Sequence, residues 1–220
     1  MAASLLVVGF AGPVRAGTIT LDFESLGHLQ NATSYLAGYG ITVTGADAGT
    51  ALVAFNENIT YGGGVVGAPS GIKYITQSGV NPDGTGNGSA GSFPPNSFIL
   101  NFNTGLSSFG FSDSAILLPS INSPWTASAY AGLGGLGTLL DTESYFPSAV
   151  HSTASFALTG ASIMSVKFIQ TASPSAAFYA ANLDNFVLTG PGVSVVPEPA
   201  TLTLLGLGLF GLGWTQRKKA

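Results

Sequence analysis

Thr18-Ile19-Thr20-Leu21-Asp22-Phe23 alternates polar and apolar side chains without a break. A period of two sets Ile19, Leu21 and Phe23 on one face of an extended chain and Thr18, Thr20 and Asp22 on the other, which is the pattern of a strand with one buried and one wet face. Runs of the same kind recur at 41–44, 51–55, 98–102, 109–111, 126–130, 155–158, 164–168 and 184–188, separated by Gly, Ser, Asn and Pro. No long stretch carries a helical stripe. Many short strands joined by glycine-rich turns predict an all-β fold, an antiparallel β-sandwich of jelly-roll type, with a short C-terminal hydrophobic helix outside the core. The low-complexity segment 81–96, with Gly84, Gly86, Gly88 and Gly91 before Pro94 and Pro95, is expected as a surface loop.

The chain has 220 residues, enough for one well-packed domain, and only 7% of them are charged. Four of its six cations sit near the ends, at Arg15, Arg217, Lys218 and Lys219. Between Gly17 and Val196 only Lys73 and Lys167 face nine acids, a balance of −7. That excludes nucleic acid as a partner, because phosphate binding requires clustered Lys and Arg. Cysteine is absent, which removes disulfides, thiolate metal sites and a cysteine nucleophile together.

Residues 1–12 are apolar over the length of a signal-peptide core, and Val14-Arg15-Ala16 offers the small side chains that a signal peptidase reads. Cleavage is expected after Ala16, although no Lys or Arg precedes the apolar run. At the other end, Val196-Pro197-Glu198-Pro199-Ala200 leads into an apolar run from Leu202 to Trp214, closed by Arg217-Lys218-Lys219. The prolines enforce an extended segment, since each fixes φ and removes a backbone donor. As a helix, Ala200 to Trp214 would reach only ~22 Å against a hydrocarbon layer of ~30 Å, so it reads as a weak or transient membrane hold. Gly206-Leu207-Gly208-Leu209-Phe210-Gly211 matches the spacing of a dinucleotide loop, but no acid follows it at the required distance.

Pro197-Glu198-Pro199, the Gly- and Leu-rich run and the basic end resemble the PEP-CTERM family of exported bacterial proteins. The resemblance covers Val196 to Ala220. It implies an exosortase-type processing enzyme that recognises the tripeptide, transient retention in the inner membrane, and release or attachment at the surface. The expected organisation is therefore a signal peptide at 1–16, a β-sandwich domain at 17–192 and a sorting and anchor segment at 193–220. Phe23-Glu24 and Asp184-Asn185-Phe186 resemble the first and last strands of carbohydrate-binding-module-like jelly rolls. That likeness implies that the two strands lie side by side and that their acids share a structural calcium, with Asp22, Glu24 and Asp184 as the candidate ligands. Calcium takes six to eight oxygens, so backbone carbonyls would have to join them.

A second calcium candidate, the loop from Asp83 to Ser89, lacks its closing ligand because Pro94 stands where a bidentate Glu is needed. For catalysis, His28 and His151 lie in no recognisable nucleophile setting, and no G-x-S-x-G elbow occurs. Glu57, Asp113, Asp141 and Glu143 supply possible carboxylate pairs, as any acidic surface does. Trp125 and Tyr130 are the expected carbohydrate-stacking residues, with Tyr61, Tyr74 and Tyr145 in reserve, because flat rings cover the apolar faces of sugars. The opposing expectation for Trp125 is a place in the core. The leading function is a non-enzymatic surface or extracellular-matrix protein associated with exopolysaccharide; the alternatives are a lectin-like carbohydrate-binding module and a secreted hydrolase.

Overall fold

The computed structural model describes residues 16–45, 50–56, 71–79, 97–115, 125–145, 152–170, 182–191 and 193. The expected signal peptide up to Arg15, the expected surface loop at 81–96 and the expected C-terminal helix with its basic end lie outside these residues. The described residues form nine strands: β1 (Gly17–Leu21), β2 (Ile41–Thr44), β3 (Thr50–Asn56), β4 (Lys73–Gly79), β5 (Ser97–Ala115), β6 (Trp125–Tyr130), β7 (Leu139–Tyr145), β8 (Ser152–Gln170) and β9 (Leu183–Gly190). One six-residue helix, α1 (Thr33–Gly38), precedes β2 and buries Leu36.

Every pairing is antiparallel, in the order β3-β4-β9-β5-β8-β6-β7, with β1 added on β9 and β2 on β5. The first and last strands lie side by side, Gly17 opposite Gly190 and Leu21 opposite Phe186. Strands β5 and β8 are each 19 residues long and pass through both halves of the fold. In β5 the buried apolar side chains are first the even ones, Phe98, Leu100, Phe102 and Leu106, and later the odd ones, Phe109 and Phe111, before Ser112 and Asp113, which are both buried. The phase changes where the β5–β8 register slips, on either side of Leu106. Such irregularities bend a strand and re-aim its side chains. Gly105 sits at this bend because a Cβ there would collide with Ser162 of β8.

The bend brings the two halves face to face over one aromatic core. Phe111, in the second half of β5, meets Trp125 of β6 at 5.3 Å and Phe168 of β8 at 5.1 Å between ring centroids. Phe102 packs 5.4 Å from Phe109 across the same bend, and Phe109 meets Phe186 of β9 edge-on at 5.1 Å. Each fully buried Phe contributes roughly 1.5–3 kcal/mol of apolar transfer, so this ring cluster is the main source of cohesion.

Two strands, β4 and β7, lie outside the runs expected from the sequence. In β4, Tyr74, Ile75, Thr76 and Gln77 are all buried, so the alternation that marks a half-wet strand is missing. One side of β4 faces the main core through Ile75, and Tyr74 joins a smaller cluster with Val53 and Phe55. In β7, at the sheet edge, no residue is fully buried. The expected runs at 98–102 and 109–111 are one strand, as are those at 155–158 and 164–168.

Candidate ligand-binding groove

The three acids expected to bind calcium have separate tasks. Glu24 follows Phe23, whose left-handed φ of 58° turns the chain out of β1. Its Oε1 accepts the backbone N–H groups of Ile72 at 2.9 Å and Lys73 at 2.8 Å, while the Lys73 ammonium donates to the Glu24 carbonyl. Gly71, at φ +57°, lies so close to this carboxylate that a Cβ would strike it. Glu24 therefore fastens the start of β4 to the end of β1. Asp22 is exposed and accepts the Glu24 N–H at 3.2 Å. Asp184 is fully buried, and its Oδ1 accepts the N–H of Asn185, which adopts a left-handed φ of 51°. The β5–β9 register slips here, between Gly110 and Ser112, so the Asp-Asn pair forms a bulge. Among the described residues no three acids or histidines converge as metal ligands would.

Trp125, expected as a sugar platform, is a core residue with 3% exposure. Odd positions of β6 point inward, so Trp125 faces the core and Tyr130 faces the opposite side of the sheet, half-buried. The indole N–H donates to Asp113 Oδ2 at 2.9 Å, and Oδ1 of the same buried carboxyl accepts the Asn182 N–H at 2.9 Å. Trp125 and Tyr130 thus cannot hold one ligand between them. Tyr74 is likewise buried. Tyr61, His151, Glu57 and the Asp83 loop lie outside the described residues.

Asp141 binds the Thr159 N–H at 2.8 Å and the Thr142 N–H at 2.9 Å, which ties β7 to β8 and holds its carboxyl below the usual carboxylate range. His28 accepts the Asn56 N–H on Nδ1 at 3.1 Å, and burial lowers its pKa. These groups are engaged in joining elements.

A concave groove of about 210 Å³ opens where α1 meets the bend of β5. Ile19, Leu106 and Leu188 form apolar walls, while Tyr39, Asn103 and Thr104 supply the polar edge. The local sequence explains the placement. The helix ends as Tyr39 N–H binds the Leu36 carbonyl and Gly40 N–H the Ala37 carbonyl, both at 3.0 Å. Gly40 then turns at φ +74°, a value that glycine adopts without strain, and its carbonyl accepts the Asn103 N–H at 2.9 Å. Tyr39 is thereby pinned beside Asn103. The bend leaves Asn103 and Thr104 exposed. Tyr39 is 40% exposed and braced by Tyr35, whose ring lies 5.2 Å away. Burial, and then the neighbouring Tyr39, push the Tyr35 hydroxyl up to about 12, so it stays protonated.

Sequence reasoning missed Tyr39 because its groove partners come from a distant strand. The available signal was an aromatic flanked by Gly38 and Gly40, with no side chain on either neighbour to cover it. A second exposed feature is apolar: Leu133 and Leu136, in a loop held by Gly134 N–H to Asn101 Oδ1 at 2.6 Å and Gly135 N–H to Ser165 Oγ at 2.9 Å, and Leu139 at the start of β7.

Val193 lines one end of the groove, just before residues 195–218, which match a family model for protein sorting. The tail is a PEP-CTERM protein-sorting motif. A chain with this PEP-CTERM motif is one exported to the cell surface or the extracellular space. No curated protein matches the chain. The body is similar to the K2 cleaved adhesin domain of Lys-gingipain, at 14% identity and a TM-score of 0.53, over 79% of this chain and 100% of that one. The K3 cleaved adhesin domain of Lys-gingipain from Porphyromonas gingivalis W83 aligns at 15% identity and a TM-score of 0.45, over 80% and 99%. A family 29 carbohydrate binding module aligns at 11% identity and a TM-score of 0.35, over 84% and 99%. At these identities the first likeness concerns the fold alone.

Proposed function

We propose that the chain is a non-enzymatic surface or extracellular-matrix protein associated with exopolysaccharide, delivered by its PEP-CTERM segment and processed by an exosortase-type enzyme. The observation that carries this reading is the handover between body and tail. The last strand closes at Gly190, Val193 folds back against Gly17, and the sorting motif begins at residue 195. On this reading the chain divides into a domain at about 17–192 and a sorting segment at 193–220 whose first residue, Val193, still packs against the body, with the apolar run as a transient membrane hold. The non-enzymatic assignment is supported by two of the four candidate catalytic carboxylates being engaged in joining elements, Asp113 with the Trp125 indole and the Asn182 N–H, and Asp141 with the Thr159 and Thr142 N–H groups.

Intact-mass analysis of the surface-exposed protein tests the reading. Residues beyond Pro199 should be missing, and the protein should co-fractionate with matrix polysaccharide. A surface species that ends at Ala220 would refute processing. A lectin-like reading is favoured by one specific feature, the groove beside Tyr39; a hydrolase reading has no such support.

A further inference from the structure

We infer that the groove at Tyr39, Asn103 and Thr104 binds one ring of a neutral polysaccharide, with an apolar C–H face of the sugar on the Tyr39 ring and its hydroxyls on the Asn103 amide and the Thr104 hydroxyl. This rests on the surface-protein reading and gives it a site. Three features select the ligand class. The volume of about 210 Å³ is below that of pockets for drug-sized ligands and suits a single ring, with the rest of the polymer outside. The walls are apolar, while the Asn103 and Thr104 side chains form no hydrogen bond among the described residues, and both are exposed. A wholly apolar ligand would cover these polar groups without pairing them, which is costly. A sugar ring has an apolar face and a hydroxyl rim, so it satisfies both halves of the groove.

Charge at the described residues favours neutral over acidic polysaccharides. Among the described residues no cation lines the groove: Lys73 is held by the Glu24 carbonyl, and Lys167 packs along Gly135 on the leucine loop. The body's excess of acids adds long-range repulsion for uronates and sulfates. The groove also needs little ordering on binding. Tyr39 is fixed by the helix end and by Tyr35, and Asn103 by its backbone bond to Gly40.

The test is affinity electrophoresis of the full chain through gels containing dextran, mannan, laminarin or galactomannan, with alginate as the acidic control. At least one neutral polymer should retard the protein, and alginate should not. Tyr39→Ala should weaken the retardation about tenfold, Asn103→Ala should weaken it severalfold, and Tyr39→Phe should keep it because the ring remains. Leu136→Ser on the remote loop should behave as wild type, and the melting temperatures should confirm that each variant folds. Retardation by none of the neutral polymers, equal retardation of Tyr39→Ala, or stronger retardation by alginate would overturn the inference. If Tyr39→Ala still enters the matrix fraction like wild type, the groove is wrong and the surface reading stands. A tail left uncleaved at the surface would be the failure of that reading instead.

Discussion

Replacing Trp125 by Phe separates its two expected roles, because a core tryptophan and a sugar platform fail differently. The indole is 3% exposed, ringed by Phe111 at 5.3 Å and Phe156 at 5.1 Å, and it donates to the buried Asp113 carboxyl at 2.9 Å. Taking this donor from a buried acceptor costs about 1–3 kcal/mol. The space left by the smaller ring adds roughly 1 kcal/mol. A total of about 3 kcal/mol corresponds to a fall in Tm of roughly 6–12 °C for a domain of this size. Asp113→Asn should cost about 2 kcal/mol on its own, because the Trp125 and Asn182 N–H groups address different oxygens and an amide has only one. In the double variant the indole donor is gone and the amide can turn its oxygen to Asn182. The two losses should therefore overlap by about 1–2 kcal/mol in a cycle of denaturant melts. Additive losses, or a Trp125→Phe protein as stable as wild type, would refute the buried-pair account. Loss of polysaccharide binding at unchanged Tm would restore Trp125 as a platform.

Three further outcomes follow from the same geometry. Asp141 titrates below its ordinary value of 3.8 when folded, so its bonds to Thr159 and Thr142 stabilise the protein above that pH and are lost as pH falls through the lower folded value. Asp141→Asn should flatten that part of the acid limb in a plot of Tm against pH, and an unchanged limb would count against the β7–β8 tie. Tyr35 has the opposite sign: its folded value of about 12 exceeds the ordinary 10.0, so its contribution is complete below pH 10 and disappears between 10 and 12. Tyr35→Phe should weaken the alkaline fall in Tm across that window, and an identical fall would show that the phenol is not buried as described. Because Asp22, Glu24 and Asp184 do not converge, calcium or chelator should leave Tm unchanged. A calcium-dependent rise abolished by Asp184→Asn would reinstate the ion.

The fold was legible where a strand had one wet face. Residues 41–44 were bounded as they stand in β2, and β1 and β9 were placed to within a few residues, because alternation is a direct record of two-sided burial. It failed at β4, where Tyr74 and Ile75 are buried on opposite sides and nothing alternates. It also split β5 and β8, since Asn103-Thr104-Gly105 reads as a turn although the strand bends there and continues. Of the two expectations for Trp125, the place in the core holds, because the inward parity of β6 decides the burial although Asn122-Ser123-Pro124 stands just before it. The groove was illegible for a different reason. Tyr39 and Asn103 are neighbours only through the pairing of β2 with β5, and a contact of that range leaves no local periodicity.

Separation of tail from body is a mechanical requirement of processing, and the strand order meets it. A cut beyond Pro199 must not remove an element that the core needs. Strand β9 is paired on one edge with β1 from Leu21 to Gly17 and on the other with β5 from Ser108 to Asp113, so its own eight residues already complete the sheet. Val193 is the last described contact, donating its N–H to the Gly190 carbonyl at 3.2 Å. Among the described residues, trimming at the motif therefore removes no strand, no core ring and no wall of the groove. The processed form should melt within about 2 °C of the full chain, the size of an ordinary surface change. A much larger drop would mean that the tail is part of the body's interior, and the division between a sorted segment and a working domain would fail with it.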